Sequence, residues 1–117
     1  MALVDVAALD DLEEGTPHIV RVGRREIVLV QWKDRVFAVR NVCPHQTQSF
    51  ARGITRPLIE RTGAQGTFAV HHDRPVIACP WHRWEYELSS GRCVIDPRVR
   101  IRSYQTVIDN ERVFVDI

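Results

Sequence analysis

Segments in which apolar and polar residues alternate dominate this chain of 117 residues. β-Branched residues are concentrated in these segments, and turn residues separate them. A period of two is that of a β-strand with one buried face. The pattern predicts strands over 18–22, 25–31, 35–40, 101–108 and 112–116. Short strands joined by turns predict an all-β sandwich or barrel. The only helical candidate, 8–14, is too short to be stable by itself.

Composition limits the functions open to such a chain. Hydrophobic residues make up 44% and charged residues 26%, which is typical of a globular protein, and the length predicts a single domain over 1–117. The 16 basic and 15 acidic residues give a net charge of +1, which argues against nucleic-acid binding. Without a long apolar run or a basic, apolar start, we expect no membrane contact and a cytoplasmic location.

The middle of the chain lacks the alternation found elsewhere. Over 43–66 proline and glycine recur, and no clear period is visible. A long irregular stretch in a compact domain is usually functional. We therefore predict irregular structure here and look for chemistry around it.

Two short motifs stand out. Cys43-Pro44-His45 begins that region, and Cys79-Pro80-Trp81-His82 follows it. Each places one thiolate and one imidazole in a single loop, and a proline after the cysteine fixes the backbone there. Two such loops can form a tetrahedral zinc site with two sulfur and two nitrogen ligands. They can equally hold a two-iron cluster in which the cysteines bind one iron and the histidines the other.

The spacing within the first motif favours the second possibility. Only one residue separates Cys43 from His45, whereas ligands of one zinc ion in a loop usually have two or more residues between them. When the two side chains bind different irons, this short spacing is natural. The cluster is therefore the preferred interpretation, and zinc remains the alternative.

The second motif extends to Trp84, and the pair of motifs resembles the Rieske ferredoxins, the electron carriers of bacterial ring-hydroxylating oxygenase systems. The resemblance covers about 17–117 and includes a strand at 85–88 followed by a turn at 89–91. It implies a Rieske-type antiparallel β-sandwich with a small cluster-binding subdomain of two loops, within about 41–88. It further implies that one iron is bound by Cys43 and Cys79 and the other by His45 and His82.

Two departures from the family pattern concern the second motif and the spacing between the motifs. Arg83 stands where family members usually have glycine. The 33 residues between His45 and Cys79 exceed the family's usual gap, so residues of about 54–72 form a predicted insertion. Neither departure removes a ligand, but both bear on which partner the protein meets.

The resemblance implies a one-electron carrier with one [2Fe-2S] cluster per chain. Electrons would pass from a flavin-dependent NAD(P)H reductase to a terminal ring-hydroxylating oxygenase. No residue is expected to be catalytic, since the carrier transforms no substrate. The alternative is a Rieske-like small subunit or regulatory domain of a larger oxidoreductase such as nitrite reductase.

Two further expectations concern residues around the ligands. High-potential family members place a serine hydroxyl near the cluster where this chain has Trp84, so we expect a reduction potential near the low end of the Rieske range, roughly −150 mV. The third cysteine, Cys93, has no partner motif and is expected to be a small buried apolar residue. His71 and His72 are adjacent on a predicted hairpin and are expected to have no ligand role.

Overall fold

The fold is taken from a computed structural model that describes residues 2–44, 49–63, 65–80 and 83–117. Within these residues the chain forms ten strands and one short 3-10 helix. The strands are β1 Leu3–Ala8, β2 His18–Val22, β3 Arg25–Trp32, β4 Arg35–Arg40, β5 Ile54–Arg61, β6 Phe68–Ala78, β7 Glu85–Glu87, β8 Ser103–Tyr104, β9 Thr106–Asp109 and β10 Arg112–Asp116. No helix in this described part is long and apolar enough to cross a bilayer.

The strands form three antiparallel sheets, which confirms the predicted all-β fold. Their orders are β1-β10-β9, β2-β3-β4-β8 and β5-β6-β7. The helical candidate at 8–14 is reduced to the 3-10 helix Leu9–Asp11, because β1 occupies the chain up to Ala8. The predicted hairpin β3–β4 turns at Lys33, whose φ of 55° is the left-handed conformation that a tight turn requires.

The middle sheet is buried on both faces, and each face belongs to a different core. Val28 and Val30 of β3 pack into the core that holds the three cysteines. Ile27 and Leu29, which alternate with them, pack against the N- and C-terminal strands. Successive side chains of a strand point to opposite faces, so β3 contributes to both cores. The two motif cysteines, Cys43 and Cys79, therefore share one core with Val28 and Val30 of this sheet.

The predicted strand over 101–108 is interrupted, which corrects that prediction. β8 pairs with β4, whereas β9 pairs with β10, and Gln105 lies where the chain passes from one sheet to the other. The Thr106 hydroxyl donates a hydrogen bond to the Val36 carbonyl, 2.6 Å away, which ties the two sheets together at this point. Alternation continues across the crossing, so the sequence alone does not show the change of sheet.

The predicted irregular stretch over 43–66 is wrong for its second half. β5 runs over Ile54–Arg61 and forms a long hairpin with β6. Pro57 lies opposite Pro75, and neither can donate a ladder hydrogen bond. The next pair is Leu58 with His71, so 72–74 bulge out of β6. These breaks obscure the alternation that would otherwise have marked a strand.

The bulge of β6 is fixed to the middle sheet by one hydrogen bond. The Trp32 indole Nε1 at the end of β3 donates to the His72 carbonyl, 2.7 Å away. A bulge leaves backbone groups without partners in the ladder, and this indole satisfies one of them. The contact therefore joins the β5–β6 hairpin to the end of β3.

Candidate metal centre

The two motif cysteines both lie at the ends of strands and inside one core. Cys43 follows β4 and Cys79 follows β6, and both are fully buried. They share their core with Phe50 and Tyr86. The sequence thus places two thiols from distant segments on one face of the middle sheet. Buried sulfur donors in apolar surroundings suit soft metals and iron–sulfur clusters.

The predicted histidine ligands, His45 and His82, lie outside the described residues. In the part of the chain that the structure describes, no three His, Cys, Asp or Glu side chains are grouped closely enough to hold a metal ion. Cys93 is buried in the same core, as expected of a small apolar residue. His71 lies 2.8 Å from the Glu60 carboxylate, far along the hairpin from Cys79.

Asn41 holds together the two ends of the segment that contains Cys43. Its side chain is 3% exposed, and its Oδ1 accepts a hydrogen bond from the Phe50 N–H at 2.7 Å. Its Nδ2 donates to the Glu26 carboxylate at 3.2 Å and bonds the Ser49 hydroxyl at 2.9 Å. One amide thus closes the loop over Cys43 and ties it to β3. Sequence reasoning missed this role, although an Asn at a strand end often bonds nearby backbone.

The second motif is closed by a backbone hydrogen bond. The Cys79 N–H donates to the Trp84 carbonyl at 2.8 Å. Arg83, just before that carbonyl, has φ 55°. This left-handed conformation costs a residue with a Cβ about 1–2 kcal/mol and explains why glycine would fit the position. The departure noted at Arg83 is therefore one of side chain rather than of backbone shape.

Tyr86 is a second site residue that sequence reasoning missed. It is fully buried on β7, and its Oη lies 3.4 Å from the Cys43 Sγ. Its ring meets Phe50 edge to face, with 5.7 Å between the ring centroids. Burial, and next the hydrogen bond with Cys43, raises the pKa of Tyr86 above its ordinary value. The phenol therefore keeps its proton at neutral pH and can donate a hydrogen bond to a thiolate sulfur.

The signal for Tyr86 was present but weak. It stands at the middle of the three-residue strand β7, and only its side chain there is fully buried. Tyr86 and the Cys43 that it contacts are 43 positions apart in the sequence. A tyrosine in an alternating strand is typically read as core, and only the sheet pairing shows which sulfur its hydroxyl reaches.

Comparison with known proteins places this geometry in a family. Residues 2–116 match the family described as the Rieske-like [2Fe-2S] domain. The ferredoxin component of the alkene monooxygenase system of Xanthobacter autotrophicus is 27% identical over 112 residues, covering 96% of this chain and 79% of that protein.

Solved structures share the fold. The ferredoxin of carbazole 1,9a-dioxygenase from Nocardioides aromaticivorans superposes with a TM-score of 0.74 at 24% identity, over 98% of this chain and 97% of that one. A candidate small subunit of NADH-dependent nitrite reductase from Mycobacterium tuberculosis superposes with a TM-score of 0.76 at 24% identity, over 97% and 93% of the two chains. The predicted antiparallel Rieske-type fold is thereby confirmed.

Proposed function

Because the chain belongs to the Rieske-like [2Fe-2S] domain family, we propose that it is a one-electron carrier between a reductase and an oxygenase. Its cofactor is the [2Fe-2S] cluster of that family. The observation that carries the proposal is the pair of fully buried thiols at the ends of β4 and β6, one of them bonded by the Tyr86 hydroxyl. When bound, such a cluster takes up and releases one electron at a potential that the surrounding protein sets.

The proposed ligands are Cys43 and Cys79 for one iron and His45 and His82 for the other, with one cluster in each chain. The donor set fits, since Rieske clusters take two sulfur and two imidazole ligands. The described residues do three things for such a group. The apolar core keeps water from the sulfurs, Asn41 holds the first loop closed, and the Tyr86 hydroxyl donates a hydrogen bond to a sulfur. Hydrogen bonds around the ligands tune a metal centre in this way.

The partners we propose are a flavin-dependent NAD(P)H reductase as electron donor and a terminal ring-hydroxylating oxygenase as acceptor. The support is that relatives of this chain are named as ferredoxin components of oxygenase systems. The carrier would not be catalytic alone and would act in the cytoplasm. We further propose one domain over 1–117, with a cluster-binding region of about 41–88 and an insertion at about 54–72.

Cysteine variants test the ligand assignment with a built-in control. Cys43→Ala and Cys79→Ala should each abolish the cluster, because a missing thiolate leaves an iron without its ligand. Cys93→Ala should retain it, since Cys93 is equally buried in the same core but has no ligand role. Anaerobically purified protein is assayed for iron, zinc and the rhombic EPR signal of the dithionite-reduced state, with about two irons per chain expected in the wild type.

Histidine variants complete that assignment. His45→Ser and His82→Ser should lose the signal, and the exposed His72→Ser serves as the matched control. Stoichiometric zinc without iron in the anaerobic wild type would contradict the electron carrier. Retention of two irons and the rhombic signal in Cys79→Ala would contradict the ligand set.

Replacing Tyr86 by Phe should make the reduction potential more negative by about 40 mV. The hydroxyl bond to the Cys43 sulfur stabilises the reduced, more negative state. A bond that strengthens by about 1 kcal/mol on reduction corresponds to about 40 mV for a one-electron couple. The earlier expectation of roughly −150 mV counts no such bond, so we place the wild-type potential above it.

Spectroelectrochemical titration measures this shift, and Tyr104→Phe is the control. Tyr104 is also buried but belongs to the other core, so its hydroxyl is remote from the cysteines. Equal potentials for wild type and Tyr86→Phe would show that the hydroxyl does not act on the redox centre.

A second candidate function is the small subunit of a nitrite reductase. The observation that favours it is the fold shared with the nitrite reductase chain described above. The retained Cys-His motifs favour the carrier, since a carrier needs its cluster. Size-exclusion chromatography with a large reductase subunit separates the two, because a carrier dissociates during turnover and a subunit remains bound.

A further inference from the structure

A small cleft lies beside the second cysteine. Its volume is about 210 Å³, and its lining residues are Arg52, Ile54, Ala78, Cys79, Pro80 and Arg83. One guanidinium comes from the segment after the first motif and the other from the end of the second motif. The two motif regions that bear the proposed ligands therefore each contribute one arginine to the cleft, Arg52 and Arg83.

The positive charge of this cleft is not balanced locally. Arg52 and Arg83 are exposed, and neither forms an ion pair with any residue in the described ranges. The sequence has no Asp or Glu over 41–59 or 74–84. The next acidic residue, Glu85, is bound by Arg56. A chain with a net charge of +1 therefore brings together, beside one cleft, two cations that have no ion pair within the described ranges.

The backbone gives a second reason to regard Arg83 as functional. Its φ of 55° is disfavoured for any residue with a Cβ, and glycine would adopt it without strain. Strained residues that persist tend to occur at functional sites. Arg83 thus places a long, charged side chain at a position whose backbone conformation favours glycine.

We propose that this cleft receives a carboxylate-bearing surface of the protein that accepts the electron. A guanidinium presents a rigid fork that matches a carboxylate, and it stays charged at all physiological pH values. Ile54, which is 54% exposed at the rim, adds an apolar contact. Complementary charge would accelerate the encounter and orient it so that the surface beside Pro80 and Arg83 faces the acceptor. The inference rests on the proposed function, because it concerns how the carrier meets its acceptor.

The test uses a small oxidant in place of the unidentified partner. The anionic Co(III)–EDTA complex carries coordinated carboxylates and takes one electron, so Co(III) becomes Co(II) as the reduced cluster returns to its oxidised state. Stopped-flow absorbance gives the second-order rate at low and high ionic strength. We expect a wild-type rate that falls as salt is added and a rate about tenfold lower in Arg52→Gln/Arg83→Gln at low salt.

Two controls isolate the charge of the cleft. Arg61→Gln removes an exposed cation from the same hairpin, seven residues along β5 from Ile54, and should leave the rate unchanged. The cationic tris(phenanthroline)cobalt(III) complex should react faster with the double variant than with the wild type. If the double variant does not assemble, Arg52→Gln and Arg83→Gly are measured singly, since glycine suits the backbone at that position.

The outcomes separate this inference from the function on which it rests. A double variant with an unchanged EPR signal and potential, but wild-type rates with both oxidants, overturns the docking cleft and leaves the carrier intact. A wild type without a cluster overturns the carrier and the cleft together. A tenfold loss with the anion, a gain with the cation and no effect of Arg61→Gln supports the cleft.

Discussion

Gly91→Ala destabilises the protein by about 3 kcal/mol or more, whereas Gly23→Ala costs about 1 kcal/mol. Both glycines have left-handed backbones, with φ of 75° and 62°. A Cβ at Gly91 would lie 1.9 Å from the Ile101 carbonyl oxygen, but a Cβ at Gly23 would meet nothing within 4 Å. Gly23→Ala therefore measures the left-handed cost alone, and the difference between the variants measures the clash.

The clash at Gly91 cannot be relieved by a side-chain rotation, because the backbone fixes the position of the Cβ and the Ile101 carbonyl that it meets is itself backbone. The Gly91 N–H donates to the Glu87 carbonyl at 2.7 Å, and its own carbonyl accepts from the Ile101 N–H at 2.8 Å. Any shift of the chain breaks bonds that hold the turn after β7. Thermal unfolding under anaerobic conditions should show a Tm lower than wild type by more than about 10 °C for Gly91→Ala. Equal Tm losses for the two variants would contradict the close approach.

Asn41→Leu lowers the free energy of unfolding by about 2–3 kcal/mol and accelerates loss of the cluster. Leucine has a similar size but cannot accept the buried Phe50 N–H, and an unsatisfied buried donor is costly. The first loop then loses both its closure and its tie to Glu26. Ser49→Ala is the milder control, expected to cost about 1 kcal/mol or less, because Asn41 still accepts from Phe50.

Two measurements on the same samples show whether Asn41 specifically holds the first loop closed or only contributes to the stability of the core. Anaerobic thermal unfolding gives the change in stability, and bleaching of the visible spectrum in the presence of an iron chelator gives the rate of cluster release. For Asn41→Leu we expect both a lower Tm and faster release well below that Tm. A lower Tm with an unchanged rate of release would show that Asn41 supports the fold without guarding the first loop.

The parts of the fold that the sequence predicts are those fixed by local pattern. The β3–β4 hairpin follows from two apolar runs rich in β-branched residues and a two-residue turn. The strand β5 escapes detection because Pro57 interrupts its alternation and its partner, β6, carries a three-residue bulge. Its existence depends on pairing with β6, which a local reading of residues cannot supply.

The candidate site divides in the same way. Cys43 and Cys79 can be proposed as ligands from the sequence alone, because ligand chemistry requires particular residues at a short spacing. Tyr86 and Asn41 act through contacts with Cys43 and Phe50 that only the folded chain creates. Arg83 is conspicuous in the sequence as a departure, but its left-handed backbone and shared cleft with Arg52 are visible only in three dimensions.

Substitutions at adjacent residues of β3 are limited by different neighbours, because one residue faces the cysteine core and the next faces the terminal strands. Val28 should therefore vary in concert with residues such as Tyr86, and Leu29 with residues such as Val113. Among related sequences, alternate positions of this one strand would therefore covary with two different sets of residues. One set would change with the residues around the redox centre, and the other with the terminal strands that support the sheet from its other face.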